Sequence, residues 1–331
     1  MQKLNKIDSA DPAWRSSDLT VDVTVIIVSW NVADLLERCV ESIGAAAGRL
    51  RVEIIVVDNA STDSTVQMLQ ARFPWVHLIV NTENQGFARA NNQALPFTTG
   101  RFVLFLNPDT IVTEGALEKM SNFLIEHSEV GMVGPRLSYP NGEVQETCAR
   151  LLPTLTWSLL CDALQLSRLP MIGTWFSRRY IYPYDYSKTQ EVEVISGAAM
   201  LVRSDVMRKI EGFGESFRHC GEDVDLCFRI TKAGWKTYYL CDALVTHFSG
   251  QSSQQAPVRT SINSVLSIQQ YFNRCFGTQQ GFFYRLITQG IQVPLMILIG
   301  AARILLGLEP GHKFRQRLEI AKGIWSWQEV E

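Results

Sequence analysis

The chain has 331 residues, with 31 Lys and Arg against 33 Asp and Glu. This length allows one large or two modest domains with a sizeable core. The balanced charge argues against a polycationic surface for nucleic acid. The seven cysteines include no C-x-x-C pair, which argues against a disulfide framework or a zinc knuckle. The polar N-terminus lacks the apolar core of a secretory signal, so we expect a cytoplasmic protein.

Short apolar strands alternate with helices in the first part of the chain. Runs that are β-branched and apolar on both faces predict buried strands at residues 23–29, 53–57, 76–80 and 102–106. Helical spacing predicts helices at residues 33–43, 64–72, 87–95 and 113–127. We expect Gly44 to end the first helix, Ser64 and Gln67 to form a capping box on the second, and Thr113 to cap the fourth.

The pattern loosens after residue 130 and becomes regular again near residue 193. Strands are predicted at residues 193–195, 198–202 and 236–240, and helices at residues 204–210 and 222–233. On the last helix we expect Asp225 and Arg229 to form a solvated pair one turn apart. Strands and helices that alternate with short links predict an α/β fold with a doubly wound, mostly parallel sheet.

Residues 286–308 form an apolar stretch long enough to cross a bilayer, because about 20 apolar residues suffice. Gln289, Gln292, Pro294 and Arg303 interrupt it. The segment that follows is basic, with Lys313, Arg315, Arg317 and Lys322. A basic flank suits an anionic cytoplasmic leaflet, so we favour a bent or surface-lying membrane element. A buried helix pair or a dimer seam is the alternative.

The run FVLFLNPD at residues 102–109 is the most informative motif. A buried strand ends in Asn107 and Asp109, whose side chains point the same way because they are two residues apart. Ligands of open α/β sheets bind at the carboxyl ends of the strands. A carboxylate there can share Mg²⁺ or Mn²⁺ with substrate phosphates, although an Asp that merely closes a turn is the alternative.

Two further polar motifs follow predicted strands. DNASTD begins at Asp58, where a carboxylate can accept from the imide N–H of a pyrimidine base, and NQGFARANN spans residues 84–92. Neither early strand is followed by G-x-G-x-x-G, which argues against a dinucleotide oxidoreductase. The chain also lacks G-x-x-x-x-G-K-[ST], so a P-loop is excluded.

The motifs VTVIIVSWN, VVDNASTD, ENQGFARANN, FLNPD and GEDVDLCFRITKAGW occur in the order found in glycosyltransferase family 2. The chain resembles these inverting nucleotide-sugar enzymes of GT-A fold over about residues 23–252. NPD, SGAAMLVR and HFSGQS are similar to the rhamnosyltransferase-like branch, which builds bacterial polysaccharides and lipid-linked glycans.

The resemblance implies donor-binding roles for Ser29, Asn31, Asp58, Asn84, Gly86, Asn92 and Asn107. Asp58 corresponds to the base-binding Asp of the family, while Asn59 stands where the usual VDDGS has a second Asp. Asp109 corresponds to the last Asp of the D-x-D metal motif, whose first Asp is replaced by Asn107. His247 matches a His that can reach the metal or the diphosphate, so the implied metal ligands are Asp109 and His247, and the implied cofactor is Mg²⁺ or Mn²⁺.

Glu222 and Asp223 follow Gly221 at the start of a predicted helix. Inverting transfer needs one carboxylate to take the acceptor proton. Asp223 matches the family base, and Glu222 would orient the acceptor or the base. Adjacent carboxylates at a helix start also favour the macrodipole, which is the structural alternative. Ser196 and Gly197 are predicted to line the acceptor side.

The resemblance predicts three segments: a polar lead at residues 1–22, a GT-A domain at residues 23–258, and a helical extension at residues 259–331. Within the domain, residues 23–129 would bind the donor and residues 130–258 the acceptor. The implied reaction moves a sugar, with dTDP-rhamnose as one donor, to a saccharide or lipid-linked acceptor at the inner membrane face. The extension could also join an oligomer. The alternatives are a non-catalytic GT-A-like module and a sugar nucleotidyltransferase, whose glycine-rich signature is missing from VIIVSWN.

Overall fold

A computed structural model describes residues 21–164, 166, 173–217, 220–249 and 257–326 of the chain. Two features predicted from the sequence lie wholly or partly outside the described residues. These are the first 20 residues of the polar lead and the GQS of the HFSGQS motif.

The first half of the main sheet consists of four parallel strands in the order β3, β2, β1, β4. They are β1 (Val23–Ser29), β2 (Val52–Asp58), β3 (His77–Val80) and β4 (Phe102–Leu106). The helices between them are α1 (Ala33–Ala46), α2 (Thr65–Arg72) and α3 (Gly86–Ala94). The predicted alternation is therefore confirmed. Chain order reverses between β1 and β4, and a crevice at such a reversal is where α/β sheets bind ligands.

The second half of the sheet mixes strand directions. Its further elements, in chain order, are β5 (Thr110–Val112), α4 (Ala116–Glu126), β6 (Val130–Ser138), β7 (Ala149–Arg150), α5 (Leu155–Trp157), α6 (Gly173–Tyr180), β8 (Gln190–Glu191), β9 (Val194–Ile195), β10 (Ala199–Arg203), α7 (Ser204–Lys209), α8 (Glu222–Lys232) and β11 (Lys236–His247). β10 is antiparallel to β4 and β6, while β11 is parallel to β6. β5 pairs antiparallel with the end of β11, and β7 and β9 form a small separate ladder.

Two predicted helix ends and one predicted capping box are wrong. α1 continues past Gly44 to Ala46, and α4 begins after Gly115, which adopts a φ of +75°. Thr113 instead donates its hydroxyl to Leu244 O on β11 (2.6 Å). Ser64 does precede α2 directly, but its side chain makes no capping bond, and Asp63 accepts from Thr65 N (3.0 Å) there instead.

The predicted solvated pair on α8 is also wrong, because Asp225 is fully buried. Arg229 Nε donates to Asp225 Oδ2 (2.8 Å), and Arg274 Nε lies 3.0 Å from Oδ1 as an ion pair. A buried carboxylate is costly unless its charge is paired, and here two guanidinium groups offset that charge. Since Arg274 lies on the next helix along the chain, this ion cluster fastens that helix to α8.

The C-terminal extension consists of α9 (Pro257–Phe276), α10 (Thr278–Ile287), α11 (Val293–Leu305) and α12 (Gly311–Ser326). The side chains of Tyr271, Phe272 and Tyr284 join the main core, so the extension packs on the sheet domain. A second, smaller core lies among the helices themselves and includes Leu266 and Ile324.

α10 and α11 belong to one continuous helix, Thr278–Leu305. A π-helical turn at Thr288–Gln292 joins them, and Pro294 follows in the first turn of α11. Gln289 donates to Trp325 O on α12 (2.9 Å), so this polar interruption bonds the neighbouring helix.

Candidate active site

Strand register places Ser29 and Asp58 side by side at the carboxyl ends of β1 and β2. Ser29 is fully buried and Asp58 is 1% exposed. Among the described residues, neither Ser29 Oγ nor Asp58 Oδ1 has a hydrogen-bond partner. Buried polar atoms are normally satisfied, so each orphan requires an explanation. A ligand N–H that bonds Asp58 Oδ1 would satisfy the carboxylate and fits the predicted recognition of a nucleobase.

Asn31 and Asp63 hold the loops around these two strand ends. Asn31 Oδ1 accepts from Thr62 N (2.7 Å), which ties the loop after β1 to the loop after β2. Asp63 accepts from Ala33 N (3.0 Å) and Thr65 N (3.0 Å), so it serves the starts of both α1 and α2. Burial alone would raise the pKa of Asp63, but hydrogen bonds from Thr65 and Ala33 lower it. Asp63 is thus a structural residue.

The hydrogen bonds of Asn59 require an amide at the position where the usual VDDGS motif has a second carboxylate. Its Nδ2 donates to Asn84 Oδ1 (2.9 Å) and to Gly86 O (3.3 Å), while its Oδ1 accepts from Gln85 N (2.9 Å). An Asp could not donate to the first two. Asn84 Oδ1 also accepts from Gly86 N (2.9 Å), and Gly86 adopts a φ of +76°. Asn59 therefore positions the predicted donor residues Asn84 and Gly86.

Asn92 has its amide already engaged by the chain. Its Nδ2 donates to Phe213 O (3.0 Å) and Glu215 Oε1 (3.0 Å), and its Oδ1 accepts from Phe213 N (2.8 Å). These bonds anchor the segment that leads from α7 to α8. In this structure Asn92 stabilises the segment that precedes Glu222 and Asp223, and its role in donor binding stays a prediction.

Asp109 and His247 meet because β5 pairs with the end of β11, where Thr110 lies opposite His247. Asp109 Oδ1 is 3.3 Å from His247 Nε2. Asp109 is 6% exposed and His247 9% exposed. The backbone of Asn107 bonds Ala198 O (2.9 Å), so this corner also adjoins the start of β10. The structure therefore brings together both predicted metal ligands.

A divalent cation fits the Asp109–His247 pair. Neighbouring ligands of an octahedral ion with bonds of about 2.1 Å lie about 3 Å apart, close to the observed 3.3 Å. No group of three or more His, Cys, Asp or Glu side chains that could hold a metal occurs among the described residues. The other coordination positions would thus fall to water and substrate phosphate, as Mg²⁺ and Mn²⁺ sites commonly arrange.

Asp223 lies in the first turn of α8 and is held on three sides. Its Oδ2 receives Arg150 Nη2 (2.8 Å) and Gly197 N (3.3 Å), and its Oδ1 receives Val224 N (2.8 Å). A carboxylate has about four lone-pair positions, so one remains for a substrate proton. Gly197 precedes Ala198, which bonds Asn107, so residues 197–198 connect the Asp223 corner with the Asp109 corner.

Glu222 and Arg150 set the charge state around Asp223. Burial, with a contribution from the Asp223 charge, raises the pKa of Glu222 to about 8, and Glu222 Oε2 has no partner among the described residues. Burial alone would lower the pKa of Arg150, but the Asp223 carboxylate outweighs it and raises it. A protonated Glu222 beside an Asp223 paired with Arg150 lets the adjacent acids coexist in different states.

A cavity of about 240 Å³ adjoins this corner. Its lining includes Arg150, Trp157, Gly221, Ile268, Tyr284 and Gln292. It therefore lies between the start of α8 and the C-terminal helices. Ser196 Oγ accepts from Ala198 N (3.3 Å) and orders the turn that contains Gly197.

Two residues of this site, Arg150 and Gln145, carry no recognisable sequence signal, and Asn59 is marked only by its departure from a motif. Arg150 lies in a two-residue strand, and Gln145 contacts His247 from a sequence separation of 102 residues. Pairing between distant segments creates each contact, so local patterns could not reveal them.

Comparison with known proteins gives a consistent result. A model of the family described as glycosyltransferase like family 2 matches residues 21–261. Over 259 residues the chain is 27% identical to the N-acetylglucosaminyl-diphospho-decaprenol L-rhamnosyltransferase of Mycobacterium tuberculosis, covering 72% of this chain and 80% of that relative. It is 30% identical over 227 residues to the pre-mycofactocin glycosyltransferase of the same organism, covering 68% of this chain and 42% of that one.

Two solved structures share the fold. The mannosyltransferase PcManGT from Pyrobaculum calidifontis, in complex with GDP-Man and Mn²⁺, aligns with a TM-score of 0.53 at 17% identity and covers 93% of this chain and 89% of that one. GalNAc-T7 with UDP, GalNAc and Mn²⁺ aligns with a TM-score of 0.54 at 13% identity, covering 75% and 48%. These likenesses confirm the predicted GT-A-like fold.

Proposed function

The chain belongs to glycosyltransferase family 2, and from that premise we propose that it transfers a sugar from a nucleotide-diphospho-sugar to a hydroxyl group with inversion of the anomeric carbon. The main support for this proposal is that three groups of residues lie along one edge of the sheet. They are the orphaned atoms of Ser29 and Asp58, the Asp109–His247 pair, and Asp223 between Arg150 and Gly197.

The nucleotide occupies the ends of β1 and β2 in this proposal. Asp58 Oδ1 accepts an N–H of the base, which relieves a buried carboxylate oxygen that has no partner among the described residues. Asn31 shapes the neighbouring loop, and Asn84 and Gly86 offer backbone and amide groups held in place by Asn59. The diphosphate then points along the sheet edge toward Asp109.

Asp109 and His247 would hold Mn²⁺ or Mg²⁺ at the diphosphate. Such an ion, when bound, neutralises the charge that develops on the leaving diphosphate. Asn107 supplies a neutral oxygen where many relatives have a second carboxylate, so the protein contributes only one negative charge. Support for a metal comes from the fit of the pair and from the Mn²⁺ present in both similar structures.

Asp223 acts as the general base. The acceptor hydroxyl approaches the remaining lone pair of its carboxylate and gives up its proton as the oxygen attacks the anomeric carbon. The bond from that carbon to the diphosphate oxygen breaks on the opposite face. Arg150 and Gly197 fix the carboxylate in one orientation, and the protonated Glu222 adds no second negative charge.

The proposed donor is dTDP-rhamnose, and the acceptor is a saccharide carried on a lipid. The similarity to an L-rhamnosyltransferase supports the donor. The cavity between Arg150 and the C-terminal helices supports the acceptor, because it joins the base to helices with exposed apolar residues. Trp157, half-buried in the cavity lining, offers a ring face on which a sugar could stack.

Membrane contact through the extension forms part of the proposal. Within the described chain, Thr278–Leu305 is the one helix long and apolar enough to cross a membrane, and only 17% of its most apolar stretch is buried. Its exposed large apolar side chains are Phe282, Phe283, Leu286, Ile291, Leu298 and Leu305, with Leu306 and Leu308 just beyond. We propose that this face lies on the cytoplasmic leaflet and brings the acceptor to Asp223.

A nucleotide-sugar screen tests the proposal. Full-length protein is mixed with dTDP-, UDP- and GDP-sugars, with and without Mn²⁺ or Mg²⁺, and thermal stabilisation and nucleoside diphosphate release are measured. We expect one nucleotide class to stabilise the protein, with release that needs metal and is lost in Asp109→Ala. The matched control is Glu114→Ala, an exposed acid five residues away. Absence of stabilisation and release across the whole panel would contradict the proposal.

A further inference from the structure

Gln145 has no part in the reaction above, yet its side chain is built into the site. The residue is 2% exposed. It lies between β6 and β7, and its backbone is fixed because Gln145 N donates to Leu137 O (2.9 Å) and Gln145 O accepts from Cys148 N (2.9 Å). Both ends of its side-chain amide contact His247.

The surroundings of Gln145 determine which way its amide points. Nε2 is 2.6 Å from His247 O and 3.5 Å from Ser138 O. Backbone carbonyls only accept, so the amide end that faces both of them must be the NH₂ group. The carbonyl oxygen Oε1 is therefore the end that faces His247 Nδ1, at 2.9 Å.

This orientation determines where the imidazole carries its proton. An amide oxygen has no proton to give, so His247 Nδ1 must be the N–H donor of that bond. In the neutral ring the other nitrogen, Nε2, then has a free lone pair. Nε2 is the nitrogen that lies 3.3 Å from Asp109 Oδ1. In that neutral form two electron-rich atoms face each other where little water can enter, whereas an imidazolium would donate its Nε2–H to Asp109.

A cation between these two atoms resolves the conflict. We propose that Gln145 is a positioning residue that fixes the Nδ1–H tautomer of His247 and so makes Nε2 a ligand, together with Asp109, of one divalent cation. The inference rests on the proposed metal role of Asp109. Metal-ligating histidines generally donate their second ring N–H to an oxygen acceptor in the same way, and loss of such a partner costs about 10–100-fold in metal affinity.

The first test reads the tautomer directly in metal-free, full-length protein. The chain has five histidines, so ¹⁵N-histidine labelling gives few signals, and a His247→Asn variant assigns the relevant one. Two-bond ¹⁵N–¹H correlation should give the Nδ1–H pattern for His247. Added Mn²⁺ should broaden its ring signals before those of His77 or His127. A proton on Nε2, alone or with one on Nδ1, would overturn the inference.

The second test compares Gln145→Leu with Gln145→Glu. Leu removes the acceptor of the Nδ1–H bond, whereas a protonated Glu keeps that acceptor and its O–H replaces the Nε2 donor toward His247 O. Free Mn²⁺ is measured by electron paramagnetic resonance, and thermal unfolding checks the fold. We expect Mn²⁺ to bind about 10–100-fold more weakly to the Leu variant and within a few-fold of wild type to the Glu variant. If the Leu variant does not fold, the tautomer of the wild-type protein decides.

Two outcomes of the Mn²⁺ titration have different meanings. A folded Gln145→Leu protein with wild-type Mn²⁺ affinity, or a Glu variant as weak as the Leu variant, would overturn the role of Gln145 alone. Wild-type protein that binds Mn²⁺ no better than Asp109→Ala would overturn the proposed metal site itself.

Discussion

The carboxyl edge of the main sheet and the C-terminal helices present opposite kinds of surface. At the edge, buried polar atoms such as Ser29 Oγ and Asp58 Oδ1 have no hydrogen-bond partner among the described residues. On the helix that contains α10 and α11, apolar side chains such as Phe282 and Leu305 are exposed instead. The buried polar atoms indicate that a polar ligand of defined geometry binds at the edge. The exposed apolar side chains indicate that the helix contacts an extended apolar surface.

The two regions differ in how precisely the fold must position their side chains. Strand register places Asp58 beside Ser29, and the β5–β11 pairing places Asp109 beside His247. The extension needs only to keep one face apolar, and its contact with the sheet domain depends on the Asp225–Arg274 ion pair and on packed aromatic rings. Variants at the sheet edge should therefore change turnover or donor affinity, while variants on the helices should change membrane binding.

The largest effect is expected at the base. Asp223→Asn keeps the shape of the side chain but cannot take the acceptor proton, so turnover should fall about 10²–10⁴-fold while donor affinity is retained. Initial rates and nucleotide binding measure the two quantities. Equal turnover in wild type and variant, or a much larger loss in Glu222→Gln, would move the base away from Asp223.

A smaller effect is expected where the nucleobase binds. Asp58→Ala should weaken donor affinity about 10–100-fold with little change in maximal rate, because a charged hydrogen bond to the base acts equally in ground and transition states. Titration calorimetry with the nucleoside diphosphate measures it. Glu126→Ala, an exposed acid on α4, serves as the control. A rate defect at unchanged affinity would contradict the assignment.

On the helices the expected effect is on vesicle binding. Glu309 pairs with Arg303 (3.1 Å) and Arg317 (2.8 Å), so its carboxylate holds both guanidinium groups and offsets one of their two positive charges. Replacing Lys313, Arg315 or Lys322 by Gln should weaken binding to anionic vesicles at low salt by about fivefold each, since a basic residue near such a surface contributes about 1 kcal/mol.

The vesicle experiment has an internal control. Arg317→Gln removes the same charge from a half-buried side chain that Glu309 holds against the protein, so it should change binding less than removal of the exposed Lys313 charge in Lys313→Gln does. If the full-length protein ignores anionic vesicles at low salt and forms a tight dimer through this segment, the membrane proposal fails. Deletion of residues 286–331 is a poorer test, because it removes Ile324 and Val293 from the second core.

The smallest effect concerns stability against pH. Burial raises the pKa of Glu222 from its ordinary 4.5 to about 8, so the folded state binds one more proton than the unfolded state in that window. Wild-type stability attributable to this group therefore falls as pH rises from about 4.5 to 8. Glu222→Gln lacks the titration, so its melting temperature relative to wild type should rise by about 2 °C or more between pH 5 and pH 8. A pH-independent difference would contradict this.

Sequence reasoning worked best where one segment suffices. The apolar runs of β1, β2 and β4 predicted both the strands and the edge at which Asp58 and Asp109 lie. It failed where distant segments compete for a group. Thr113 bonds Leu244 on β11 instead of capping α4, and Asp225 is buried because Arg274, 49 residues further on, reaches it.

The predicted site was incomplete for the same reason. Asp223 was predicted from its motif, but its partner Arg150 lies 73 residues earlier in the chain. His247 was predicted as a metal ligand, but the orientation of its ring depends on Gln145, 102 residues away. Such partners become visible only when the fold brings their segments together.

The most direct test of the central claim is the configuration of the sugar that the protein releases. With the nucleotide-sugar found in the screen and Mn²⁺, water can replace the acceptor, and time-resolved proton NMR identifies the anomer that forms first. We expect wild type to release an anomer of opposite configuration to that of the donor. Asp223→Asn should release the same anomer about 10²–10⁴-fold more slowly. A first-formed anomer of the same configuration as the donor would contradict single displacement with Asp223 as the base.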